Sequence, residues 1–195
     1  MKNYQFNSVK QLKYALLILA VSLSACGQQK SKSDKEVVTK TEVKTPDITM
    51  QEAVVTGNFD AVKQHIAAET NINEKDALSG STPLITAITF GKNDIAQALI
   101  DADADLSIKN NDGATALHVA AFFGRVEAVQ MLMDAGADKT VKNNFGATPR
   151  ETVMGQFEDI KPIYEMMQQQ LAPIGLQLDL AEVEKTRPVI AMMLQ

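Results

Sequence analysis

The chain has 195 residues, a formal net charge of −5, 45% hydrophobic residues, one cysteine and no tryptophan. A single cysteine excludes a disulfide within the chain, and the acidic balance argues against a nucleic-acid binder, which rewards clustered cations. The charge is unevenly spread: residues 1–25 carry +3, residues 26–46 carry +2, and the remainder carries −10.

The first predicted element is an export signal over residues 1–25. Lys2, Lys10 and Lys13 form a basic leader, and Tyr14 to Leu23 form an apolar run too short to span a bilayer comfortably. It ends in Leu23-Ser24-Ala25-Cys26-Gly27, which resembles the bacterial lipobox. The resemblance implies cleavage before Cys26 and acylation of its sulfur, so that the mature protein has no free thiol. The other reading is an ordinary secretory signal ending in a chance cysteine. Several acyl chains would anchor the protein stably. Gly27, rather than Asp, at the second mature position implies the outer membrane facing the periplasm, with the inner membrane second. Residues 26–46 are polar and charged, as expected of a flexible tether. Its mean reach is on the order of 25 Å.

A repeat occupies the next stretch. Gly80, Gly113 and Gly146 stand 33 residues apart, and Thr82, Thr115 and Thr148 follow each glycine by two. Around them the wording recurs as Gly80-Ser-Thr-Pro-Leu-Ile-Thr-Ala87, Gly113-Ala-Thr-Ala-Leu-His-Val-Ala120 and Gly146-Ala-Thr-Pro-Arg-Glu-Thr-Val153. Asp101-Ala-Asp-Ala-Asp105 and Asp134-Ala-Gly-Ala-Asp138 repeat in the same register. A fixed period of this length marks stacked supersecondary units. Each glycine permits the positive φ of a tight turn. Each threonine can cap a helix, with Pro83 and Pro149 at the first helical position. Gly91 and Gly124 end the first helix of their units. Ile95, Ala98, Leu99 and Ile100, then Ala128, Val129, Met131 and Leu132, form the apolar side of a second helix.

These motifs resemble ankyrin repeats, whose signature is T-P-L-H-x-A with a G-A-D turn. The resemblance implies an all-α solenoid of about four helix-turn-helix units with short turn hairpins, over residues 47–171. The units are 50–79, 80–112, 113–145 and 146–171. Ala53, Gly57 and Ile72 match the second unit at a spacing of 34, which places one extra residue near Asp76-Ala77-Leu78. In the fourth unit, Ile160, Ile163, Met166 and Met167 run one position late, and Pro162 is expected to open its second helix. Asp103 stands at the place of Gly136, where aspartate tolerates the left-handed conformation. Residues 172–195 leave the register and form a capping tail, expected to fold back on the last repeat.

Catalytic signals are missing from the sequence: no HExxH, no Cys/His cluster and no G-x-S-x-G elbow occurs. No catalytic residue, metal or cofactor is expected. His118 falls at the family's histidine, which ties neighbouring repeats, and His65 defaults to a surface or packing role. Asp101, Asp103 and Asp105 alternate like part of a calcium loop, yet the terminal bidentate glutamate is missing.

By the resemblance, a partner protein docks on the concave face of turn tips and first-helix ends. That face maps to Leu78, Ser81, Phe90, Asn111, Asp112, Phe122, Phe123, Asn144 and Phe145. Four of the seven phenylalanines fall in it, and aromatics are enriched at interface hot spots. Phe90, Phe122 and Phe145 are expected to act together, although Phe123 especially could instead fill the groove between repeats. The resemblance further implies support of a periplasmic enzyme such as a catalase; the alternative is an immunity protein neutralising a delivered toxin or enzyme. The protein is expected to be monomeric.

Overall fold

The computed structural model describes residues 44–195. The leader, Cys26 and nearly all of the tether lie outside the described residues. Eight α-helices follow in chain order: α1 (Met50–Thr56), α2 (Phe59–Ala67), α3 (Pro83–Thr89), α4 (Asn93–Asp101), α5 (Ala116–Phe122), α6 (Val126–Asp134), α7 (Phe157–Leu171) and α8 (Leu180–Met193). Two 3-10 turns, Glu151–Val153 and Ala172–Ile174, flank α7. No strand occurs among the described residues. The helices form the expected all-α repeat stack.

Local chemistry sets the helix starts. Thr82 Oγ1 accepts the Ile85 N–H at 3.3 Å, with Pro83 at the first helical position. The inner helices α1, α3 and α5 pack in one row, and the outer helices α2, α4 and α6 in another. Between the rows lie Val54, Val62, Leu84, Ile88, Ile95, Leu99, Leu117, Val129 and Leu132, all buried. The shared alanines Ala53, Ala87 and Ala120 are fully buried where inner helices touch. Their small size lets the backbones approach.

The turns obey the sequence reading closely. Asp103 takes a positive φ of 62° and Gly136 one of 82°. Asp105 accepts the Ser107 N–H and hydroxyl, and Asp138 does the same for Thr140, so these carboxylates serve their own turns. The hairpin closures locate the extra residue. Asn110 N donates to Ala114 O and Asn143 N to Ala147 O, but Asp76 N reaches Ser81 O, one residue further. The insertion therefore lies between Asp76 and Ser81.

The fourth unit departs from expectation. Thr148 and Glu151 form a reciprocal capping box, with Glu151 Oε2 accepting the Thr148 N–H at 2.8 Å and Thr148 Oγ1 accepting the Glu151 N–H at 3.3 Å. The helix it opens lasts only the single 3-10 turn Glu151–Val153. Gly155 explains this, since it arrives two positions before the place of Gly91 and Gly124. Pro162 does not open the second helix. It lies inside α7, near enough to the N-terminus that the bond it removes is one of the first. The long α7 is not the outer helix of this unit either. That place is taken by α8, which packs on α6 as α6 packs on α4. Thr186 and Val183 sit against Gly124, where a Cβ would come within 2.6 Å of the Thr186 hydroxyl oxygen.

Both histidines are structural. His118 Nδ1 accepts the Thr115 N–H at 3.2 Å, leaving Nε2 to donate to Ala147 O at 3.0 Å across the repeat boundary. His65 is buried and bonds through Nε2 to Ile48 O at 2.8 Å, fastening the segment before α1.

Two outcomes follow from this packing. Leu117→Ala should lower unfolding free energy by about 2–5 kcal/mol in denaturant titration, the usual range for a buried leucine truncation. His118 can make both its bonds only when neutral, and burial, the largest cause, holds its pKa below the ordinary imidazole value. The unfolded chain therefore binds the proton more readily. Stability should be level above about pH 6.5, the unfolded value, and fall as pH drops below it. His118→Gln should flatten that part of the melting-temperature profile.

Candidate functional site

The nine residues expected on one partner face divide between two places. Leu78, Ser81, Asn111, Asp112, Asn144 and Phe145 sit in the hairpins, before the inner helices begin. Phe90, Phe122 and Phe123 sit at the opposite ends of α3 and α5. An inner helix of seven residues separates the groups by roughly 10 Å, at 1.5 Å per residue. Phe90, Phe122 and Phe145 thus form no single row.

The tips are rigid because asparagines bridge them. Asn111 donates from its backbone N to Ser79 O at 2.9 Å and from Nδ2 to Leu78 O at 2.8 Å. Asn144 repeats this on the next tip, to Asp112 O and Asn111 O, each at 2.9 Å. Both side-chain oxygens press on glycine: a Cβ on Gly80 would lie 2.4 Å from Asn111 Oδ1, and one on Gly113 2.3 Å from Asn144 Oδ1. Asn111 and Asn144 therefore spend their amides on the stack. Both nevertheless remain exposed at the tips.

Ser81 leaves the partner face. It is buried, its N–H donates to Asp76 Oδ2 at 2.8 Å, and its hydroxyl meets that of Ser79 at 2.8 Å. Burial of Asp76 opposes its charge. Bonds from the Ser79 hydroxyl and the Ser79, Ser81 and Leu78 N–H groups prevail, holding its carboxyl below the ordinary range.

Two large apolar side chains stand exposed at the tips. Leu78 is 92% exposed and Phe145 80%, with exposed Asp112 on the tip between them. Neither apolar side chain covers any core.

At the other end the phenylalanines are occupied. Phe123 is buried at 4% exposure and leaves the partner face altogether. Phe122 is half-buried under Tyr164 of α7, with ring centroids 4.5 Å apart and the Tyr164 hydroxyl donating to Phe122 O at 2.6 Å. Phe157 lies 5.9 Å from Tyr164 on its own helix. Tyr164 is fully buried, and burial raises its phenol pKa. Arg125 pulls the loop before α8 into the same end, its Nη2 donating to Thr89 O at 3.3 Å and Gln177 O at 3.1 Å. Phe90, half-buried against the core, is the one aromatic of this end with no described ring partner. The sequence held a hint of the Tyr164 contact: Phe157, Ile160, Tyr164, Met167 and Leu171 follow helical spacing.

Among the described residues, no group of three His, Cys, Asp or Glu is placed to hold a metal ion. No helix of the described residues is long and apolar enough to cross a membrane.

Residues 50–143 match the family model for ankyrin repeats, in three copies. No curated protein matches the chain. Among solved structures it is similar to the crystal structure of the ankyrin repeat domain of Bcl-3, described as a unique member of the IkappaB protein family. The two are 29% identical with a TM-score of 0.52, over 53% of this chain and 45% of that one. The chain thus spans under half the length of that relative. Such a stack is a scaffold for binding other proteins. The periodic glycines, the bridged hairpin tips and the paired helix rows agree with the match over residues 50–143, and through them that part of the chain is identified as a stack of ankyrin repeats.

Proposed function

We propose that the protein is a lipid-anchored, periplasm-facing binding module that holds a partner protein at its hairpin tips, in support of a periplasmic enzyme such as a catalase. The observation that carries the binding surface is the pair Leu78 and Phe145, almost fully exposed on tips that the asparagine bridges hold still. Pre-ordered tips lose little freedom on docking, so apolar contact made there converts efficiently into affinity. Asp112 between them, on an acidic body, favours a partner with a basic spot flanked by apolar pockets. Phe90 stands apart from this patch.

The anchoring rests on the sequence around Cys26. Acylation there, with a tether of about twenty residues reaching on the order of 25 Å, would leave the tips free to meet a periplasmic protein. The outer membrane is the proposed address, from Gly27 at the second mature position.

Each part has its own check. Replacing both Leu78 and Phe145 by Ala should leave the melting temperature unchanged and weaken capture of the partner from periplasmic extract. A loss on the order of 2 kcal/mol per hot spot is nearly thirtyfold in Kd. Phe122→Ala is the contrasting variant. It should destabilise the fold by about 2 kcal/mol or more, because Tyr164 loses its ring partner. An unchanged partner band with the double variant would remove the tips as the interface. For the anchor, Cys26→Ser should abolish labelling with radioactive palmitate and leave the precursor uncleaved; an acylated, processed product would exclude the lipoprotein assignment.

A further inference from the structure

At the C-terminal end of the stack, the 3-10 turn Glu151–Val153, the start of α7 and the outer side of α8 border an open cleft of about 430 Å³. Small-molecule sites typically span about 300–1,000 Å³. The cleft lies away from the hairpin tips and takes no part in the surface described above.

Its charge is unusual. Arg187 lines it and is only 4% exposed. Its Nη2 donates to Gly155 O at 2.9 Å and its Nη1 to Tyr164 Oη at 3.4 Å. Both acceptors are neutral, and the Phe157 ring, 6.0 Å from the guanidinium carbon, gives it an aromatic face rather than an anion. The ion pairs among the described residues all involve lysines, and none includes Arg187. A buried cation without a counter-charge is costly, so such a group ordinarily has an anion beside it. Arg150 stands on the same wall. Its Nε donates to Ala191 O at 3.1 Å, and its terminal amino groups have no protein acceptor among the described residues. Glu184 is the one carboxylate side chain lining the cleft, where Gln195 also stands with its main-chain oxygen accepting from Lys139.

The remaining walls are apolar. Met154 and Met192 face the cleft while 55% and 63% exposed, and Phe157 closes its inner side. Methionine adapts to the shape of an apolar guest. α8 already covers α6 with Val183 and Ile190, yet carries Val189 and Met192 outward. A helix apolar on both sides is normally covered on both.

We propose that this cleft binds a monocarboxylate with an apolar chain, a ligand of the fatty-acid class. The carboxylate pairs with the guanidiniums of Arg187 and Arg150, whose planar forks match its two oxygens. The chain lies between Met154 and Met192. Glu184 sets the preference for a single negative charge, since a doubly charged head would face its repulsion.

The test is calorimetric titration of the full chain with octanoate, octanol and octyl phosphate. Octanoate should bind saturably, and octanol about tenfold more weakly for want of charge-assisted bonds. Octyl phosphate should not exceed octanoate. Arg187→Gln and Arg150→Gln should each weaken octanoate by about tenfold. Met192→Trp, which fills the cleft and leaves both guanidiniums in place, should abolish binding. If Arg187→Gln fails to fold, Arg150→Gln and Met192→Trp still decide the matter. Absence of saturable octanoate binding overturns the proposal. So does octanol binding equal to octanoate, tighter binding of octyl phosphate, or octanoate binding indifferent to Met192→Trp.

Discussion

Each helix pair in this chain carries apolar residues on more sides than it can cover by itself, so every unit depends on a neighbour. Leu84 and Ile88 of α3 are buried only because α1 and α5 lie on either side. The alanines at those contacts set how close the rows come, and closeness brings the hairpin tips within reach of an asparagine side chain. The tip bridges are thus a consequence of packing as much as of polar chemistry. The same dependence makes the ends of the stack its most demanding places. At the first unit, His65 fastens the incoming chain; at the last, an irregular assembly of α7 and α8 replaces a full repeat.

Much of this was legible in the residues because repeat physics is local. A glycine, a threonine two positions on and an apolar run determine a turn, a cap and a helix within one unit, whatever lies beyond. Even the extra residue near Asp76 could be placed from spacing alone. What could not be read was the last unit. Gly155 shortens the inner helix, and no periodic signal then says which later segment replaces the outer one. The pairing of α8 with α6 depends on contacts far apart in sequence, which a one-dimensional pattern does not carry.

The partner face shows the same limit. Phe122 resembles an exposed anchor if only its own helix is considered, since its neighbours Leu117 and Ala121 account for the core. Its burial comes from Tyr164, 42 residues downstream. Asn111 looked like a free polar group for the complementary reason, that its acceptors belong to the neighbouring turn, whereas Ser81 is held inside its own turn by Asp76 and Ser79. Leu78 and Phe145 survive because nothing distant reaches them. An exposed apolar side chain on a bridged turn is the feature that remains once folding has used what it needs.

The insertion of α7 between the 3-10 turn and α8 also bears on the order in which the molecule assembles. α1 to α6 close through connections of at most fifteen residues, each unit templating the next. α8 must instead return across residues 154–179 before it can cover α6, a larger closure in chain entropy. That cost makes the cap the element expected to dock last and to open first when the native state fluctuates. Its opening would bare α6 and Gly124 while the hairpin tips stay intact, so the two ends of the same stack differ in lifetime as well as in chemistry.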